Sequence, residues 1–301
     1  MTDPRPGMDH ALYPYSAMDR RPALSWPDGN GLAFTVLLHL EFWRLDPPKQ
    51  DWRDPRYQGA FGNFYPDYTA FTQREYGNRV GVFRVLDVLD RFNLKLTVPA
   101  NAAALQRYPG IVERLQDRDV EFVAAGTHAD RMITSKLDAD TQRRMIDESV
   151  AAVERVTGRR PTGWAGPGYG ESEITAGLLA EAGLDYVMDW PNDDQPYMLN
   201  TEPALVSIPR QPEWDDAEIM WLRKVPRALW SEMVVSAFDG LYGERAAGRY
   251  FSLSLHPWIV GQAHRIRYLA ETLEKIAPPR AGVWQTTAGA VARQYRSQIA
   301  D

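Results

Sequence analysis

The sequence predicts a single deformed (β/α) barrel of about seven strands, and three observations carry that reading. Short apolar runs alternate with amphipathic helical stretches from residue 31 to residue 295, the pattern of a parallel sheet covered by helices. No linker and no internal repeat interrupts the alternation. Two of the apolar runs, Leu32–Leu38 and residues 250–255, stop at side chains suited to proton transfer, in His39-Leu40-Glu41 and His256-Pro257. Barrels of parallel strands build their sites where the strands end.

The elements follow in order. Residues 1–30 are proline-rich with little periodicity and are expected to form an extended arm, leaving residues 31–301 as the barrel domain. Residues 31–40 read as a buried strand. Residues 44–67 mix Pro, Asp, Arg, Trp and Tyr with neither a helical nor a strand period; so long a structureless stretch is usually a functional loop or lid. Val82, Val85, Leu86 and Leu89 recur at helical spacing, which predicts a helix over 78–92 before a strand at 95–98. Helices are expected over 101–107 and 111–118, with a strand at 120–124. The clearest helix covers 138–157, with Met145, Val150, Val153 and Val156 along it and Gly158 as its stop. A short strand at 162–164, a helix over 173–182 and strands at 186–188 and 205–208 follow. The chain closes with a helix over 227–242, the strand 250–255, a helix over 263–276, a strand at 283–285 and a helix over 288–295.

Composition excludes several classes. A formal charge of −6 offers no basic stripe for nucleic acid. No run approaches the roughly 18 apolar residues of a membrane span, and the first residues show no secretory pattern. Zero cysteines exclude disulfides, thiolate ligands and a thiol nucleophile. The expectation is a cytoplasmic protein acting on a small molecule, with no nucleic-acid or membrane partner. Ten tryptophans and 14 tyrosines point both to core packing and to an aromatic-walled pocket.

The predicted strand ends read Glu41, Asn101, the 125–131 turn, the 164–169 turn, residues 189–194, Arg210 and His256. Glu41 follows an apolar run and is placed to act as a general base; the competing role is a salt bridge to a loop arginine such as Arg44. Pro257 holds His256 in extended geometry, where it acts as a general acid or as a hydrogen-bonded core histidine. Candidate substrate contacts are His39, Trp43, Asn101, His128, Trp164, Tyr169, Trp190, Asp193, Asp194 and Trp258. Asp193 and Asp194 also fit a solvated acidic turn.

A family resemblance adds to this. Residues 21–30 (Arg-Pro-Ala-Leu-Ser-Trp-Pro-Asp-Gly-Asn) lead into the first strand, and residues 74–84 read Arg-Glu-Tyr-Gly-Asn-Arg-Val-Gly-Val-Phe-Arg. Thr-Gly-Arg-Arg-Pro-Thr-Gly-Trp (157–164), Asn-Asp-Asp-Gln-Pro-Tyr (192–197) and Leu-His-Pro-Trp (255–258) follow. In order and spacing these resemble the NodB-type polysaccharide deacetylase superfamily, in particular its metal-independent allantoinase-like branch. The resemblance implies a NodB-like barrel, and dimers or tetramers, hence a homo-oligomer. Metal-using relatives share a Phe-Asp-Asp-Gly turn and a later His-Gly-x-x-His turn. The first resembles Leu40-Glu41-Phe42-Trp43, which keeps the base at Glu41 and puts Phe42 at a ligand position. The second falls on residues 125–129 with Ala125 and Ala129 at both ligand positions, or, shifted, on residues 126–129 with Met132 in place of the second histidine. At most one histidine survives, so the resemblance implies no metal and no other cofactor. It also implies a basic residue at the 164–169 turn, where this chain has none.

The resulting expectation is a metal-independent hydrolase opening a cyclic amide, imide or ureide C–N bond. Glu41 would activate water, His256 would protonate the leaving nitrogen, and backbone N–H groups at residues 126–128 would hold the oxyanion. Two alternatives stand beside it: a catalytically inactive barrel that binds a ligand or a partner, and a carbohydrate N-deacetylase.

Overall fold

The first strand, β1 (Leu32–Leu38), is buried along its whole length. It has to be, because it is the middle of the sheet. In the structure, a computed structural model describing residues 7–49, 51, 55–57 and 64–299, β8 (Arg249–Leu255) pairs parallel with β1 from Leu32↔Arg249 to Leu38↔Leu255. On its other edge β9 (Val283–Thr286) pairs with the first half of β1. β2 (Leu96–Ala100) pairs with its second half. From β2 the sheet continues parallel through β3 (Glu121–Ala124), β4 (Gly163–Trp164), β5 (Tyr186–Val187) and β7 (Leu205–Ser207). β6 (Tyr197–Leu199) closes that edge antiparallel to β7. The order β6-β7-β5-β4-β3-β2-β1-β8 is a curled half-barrel, open among the described residues between β6 and β8.

Helices cover the outside: α1 (Tyr68–Tyr76), α2 (Val82–Asp90), α3 (Ala102–Arg107), α4 (Pro109–Gln116) and α5 (Ala139–Thr157), then α6 (Thr175–Glu181), α7 (Arg227–Gly243), α8 (Pro257–Val260), α9 (Ile266–Ile276) and α10 (Ala288–Ile299). The deformed (β/α) barrel expected from the sequence is the observed architecture. Most boundaries agree within two or three residues. For α5, Asp138 is the N-cap, its carboxylate accepting from the Thr141 N–H at 2.7 Å, and Gly158 ends the helix at φ 69°.

Several elements were not expected, among them α8, which follows β8 directly. β6 runs against the sheet and is three residues long, too short for a period. The helix expected over 78–92 begins at Tyr68, because α1 continues through a π-helical turn, Gly77–Gly81, into α2. The loop expected over 44–67 therefore ends at Asp67, the N-cap of α1; residues 50, 52–54 and 58–63 of it lie outside the described residues. A second π-helical turn covers Ala217–Leu222.

Strand parity sorts the core into two layers. Leu32, Phe34, Val36, Leu38 and Leu40 pack outward with Phe251, Leu253, Leu255 and the helices. Ala33, Leu37, Val123, Ala165, Met188, Val206 and Ile208 face inward. α10 closes the N-terminal end of the half-barrel: Ala288 N–H donates to Thr97 at 2.9 Å and Gly289 N–H to Glu121 at 2.9 Å, both near strand starts. The opposite end is left to the site.

Candidate active site

The inward parity of β1 and β8 carries past the strand ends, and it decides which side chains meet. His39 and Glu41 have the parity of Ala33 and Leu37, and His256 has that of Tyr250. All three line one cavity of about 410 Å³ at the C-terminal end of the strands. The β1–β8 register runs on through His39 N–H, which donates to the Leu255 carbonyl at 3.0 Å. His39 and His256 are therefore cross-strand neighbours, and their rings stack with centroids 4.1 Å apart and planes at 11°.

His256 is held by two aspartates on the turn that follows β7. Its Nδ1 lies 2.6 Å from Asp216 Oδ1, and its backbone N–H donates to the same carboxylate. Asp215 Oδ1 lies 3.7 Å from Nδ1. Burial alone would push His256 down, but Asp215, Asp216 and Glu41 outweigh it and carry its pKa up to about 10. The imidazolium is the resting form, with Nε2 left for the cavity. Burial pushes the Asp216 carboxyl up against the pull of His256. Asp215 is fixed in turn by the Ala217 and Glu218 N–H groups and by the Tyr169 hydroxyl at 3.2 Å.

Glu41 sits opposite. Its Oε2 accepts from Trp258 Nε1 at 3.0 Å and lies 3.5 Å from Trp43 Nε1. Among the described residues Oε1 accepts no protein hydrogen bond. The competing salt bridge to Arg44 does not form, because Arg44 is clasped by Asp130 at 2.9 Å and Asp51 at 2.7 Å. Arg74, buried, lies over the Trp43 ring at 4.4 Å and the Trp258 ring at 5.2 Å. It braces the two indoles that hold Glu41. Trp258 is placed by backbone contact: a Cβ on Gly77 would come within 2.7 Å of Trp258 N, and one on Gly81 within 2.1 Å of the Pro257 carbonyl oxygen. Only glycines let α1, the π-turn and α2 pack so closely on α8.

Of the other expected contacts, Trp43, Asn101, Tyr169 and Trp258 line the cavity. Asn101 is nonetheless occupied, accepting from Phe42 N–H and donating to the Ala125 carbonyl. Five expected contacts lie off the cavity wall. Trp164 has outward parity and packs under the helices. His128 turns away to Thr127 at 3.2 Å and faces Phe42, and burial followed by the Arg44 charge takes its pKa down to about 4. Trp190 packs edge-on against Tyr13 of the arm. Asp193 pairs with Arg21 at 2.7 Å. The Asp194 carbonyl accepts from Tyr250 N–H at the start of β8, the end of the strand remote from the site. Both aspartates serve the return path into antiparallel β6, which the sequence pattern hid. Nor do Gly126, Thr127 and His128 line the wall, so their N–H groups are not placed to hold an oxyanion there.

Sequence reasoning missed Asp215, Asp216, Glu218 and Arg74, and it named Arg210 as a strand-end residue without giving it a role. The doublet 215–216 carried a signal, two adjacent acids after a predicted strand, but its partner His256 is 40 residues away. Arg210, 3% exposed, lies 3.8 Å over the Tyr169 ring and donates to Asp189 at 3.0 Å and to the Gly166 carbonyl at 3.3 Å. It brings positive charge to the 165–169 turn, where the sequence has none.

A resident divalent metal does not fit the donors present among the described residues. Phe42 is occupied by packing under the Arg107 guanidinium at 4.4 Å, and Ala125 and Ala129 offer no donor. His39, Asp215 and His256 do present one donor atom each within 4.8 Å of one another. Their rings are stacked, however, so the in-plane lone pairs run side by side and do not converge. A metal at about 2.1 Å from both nitrogens would lie well out of both ring planes.

Comparisons with known proteins agree with this architecture. Residues 75–187 match the family model described as polysaccharide deacetylase. A Schizosaccharomyces pombe protein provisionally named a polysaccharide deacetylase is 24% identical over 247 residues, 74% of this chain and 75% of its own length. The crystal structure of Puue allantoinase superposes with a TM-score of 0.81 at 24% identity, covering 95% of this chain and 98% of its own. A probable polysaccharide deacetylase of Pseudomonas aeruginosa PAO1 superposes equally well, with a TM-score of 0.81 at 23% identity over 95% of this chain and 99% of its own. The likeness in sequence to the polysaccharide deacetylase family model is confined to residues 75–187, and the two structural neighbours share the fold of this chain.

Proposed function

We propose that this protein hydrolyses a cyclic amide, imide or ureide C–N bond without a resident metal, Glu41 acting as general base and His256 as general acid. The observation that carries the reading is that Glu41 and His256 face one cavity of about 410 Å³ whose expected ligand positions hold Phe42, Ala125 and Ala129. A pocket of that size suits one small ring, and Trp43, Tyr57 and Trp258 give it flat aromatic walls. Ring carbonyls flanked by nitrogen or a second carbonyl are better electrophiles than a plain acetamide, which lessens the need for a Lewis acid.

The steps follow from the two side chains. Glu41 Oε1 takes a proton as water adds to the ring carbonyl. The tetrahedral adduct then breaks its C–N bond while His256 Nε2 gives a proton to the departing nitrogen. The ring opens to a carboxylate and an N–H group, and exchange with solvent restores Glu41 and His256.

The test is a substrate screen with hydantoin, dihydrouracil, succinimide and allantoin-like rings, followed by N-acetyl sugars. Turnover of a ring, unaffected by chelator, is the expected result. Turnover confined to N-acetyl sugars favours the carbohydrate deacetylase reading, which the names of the relatives support equally. Folded protein inactive on both sets leaves the ligand-binding reading, to be followed by thermal-shift screening.

A further inference from the structure

We propose that His39 is the electrophile of this site: its neutral imidazole N–H donates to the scissile carbonyl oxygen and holds the oxyanion formed when water adds. The inference rests on the cyclic-amide reading and names the group that reading lacks, since the N–H groups of residues 126–128 are off the cavity wall.

Four observations carry it. His39 lines the cavity and is only 6% exposed, yet among the described residues neither ring nitrogen has a hydrogen-bond partner; Nε2 is fully buried, which leaves Nδ1 as the nitrogen open to a ligand. An unpaired polar atom in so buried a ring is costly, and a substrate oxygen at Nδ1 would satisfy it. Burial, then the charges of His256 and Arg210, hold its pKa well below the usual histidine value, so the ring keeps one N–H and one lone pair. A neutral imidazole is a sufficient electrophile for a carbonyl. The surroundings favour a negative partner, because the His256 imidazolium stacks at 4.1 Å and the buried Arg210 guanidinium lies on the same wall. Finally, Glu41 lies two residues further on the same face, roughly 7 Å along the chain at strand rise. That span leaves room for a carbonyl and its attacking water between the two side chains.

The test compares two substitutions on the best ring substrate. His39→Phe keeps a ring for the stack and removes the donor, while His39→Gln restores an N–H. Removing one preorganised donor costs about 100-fold or more in kcat, so His39→Phe should lose about that much with KM within a few-fold of wild type. His39→Gln should regain about tenfold. A merely structural role would not separate the two variants or spare KM. If His39→Phe does not fold, His39→Met takes its place against His39→Gln. A folded donor-less variant with kcat within about threefold of wild type overturns the inference alone, as does a Gln variant no better than it. Wild-type protein inactive on every ring overturns the parent reading and this inference with it.

Discussion

At the scale of single residues the proposed acid and base are each held by a neighbour from elsewhere in the chain, His256 by Asp216 at 2.6 Å and Glu41 by Trp258 at 3.0 Å. Glu41→Gln and His256→Ala should each lower kcat by about 100-fold or more. The double variant should be hardly worse than either single one, because removing one member already disables the pair; a steady-state double-mutant cycle checks this. Asp216→Asn tests the support for the acid. With its pKa up at about 10, His256 stays protonated through neutral pH, and the alkaline limb of kcat/KM should lie near that value. Replacing the carboxylate at 2.6 Å should move that limb down by about 1–3 pH units, visible in a pH–rate profile. Asp215 and Glu41 still face the ring, so the limb should stay above the value of a free histidine.

At the scale of elements, what could be read from the sequence depended on length and periodicity. α5 was legible because nineteen residues keep one apolar stripe between an aspartate cap and a left-handed glycine. β6, three residues long and antiparallel, carries no such signal, and missing it misplaced Asp193 and Asp194. Trp164 was misplaced for a different reason: β4 is buried on both faces, so apolar composition does not say which residues point inward. The helix that begins at Tyr68 was hidden by the loop composition before it. Its packing onto α8 gives a further expectation. Gly81→Ala puts a methyl group against the Pro257 carbonyl and should destabilise the fold by about 1–3 kcal/mol, read as a lower melting temperature. It should also lower kcat, because Pro257 separates His256 from Trp258.

At the scale of the whole molecule, the same imidazolium links the site to stability. His256 is raised from 6.5 to about 10 on folding, so its contribution to stability is fully present below pH 6.5 and is lost as pH rises toward 10. Melting temperature measured across that window should fall more steeply for wild type than for His256→Gln. No helix among the described residues is long and apolar enough to cross a membrane. The alternation of apolar runs with amphipathic helices was enough to predict a deformed (β/α) barrel of about seven strands, since burying both sheet faces requires that pattern; the nine strands and the open edge among the described residues came from the structure. Glu41, His39 and His256 stood out as polar side chains ending apolar runs, which is a local property. Their company was decided only by tertiary structure. The β1–β8 register stacks His39 on His256, the turn after β7 delivers Asp215 and Asp216 from 40 residues away, and Arg210 arrives beside Tyr169 from another strand. Such meetings depend on register and inward parity across separate strands, and a strand buried on both faces leaves no trace of either in its own residues.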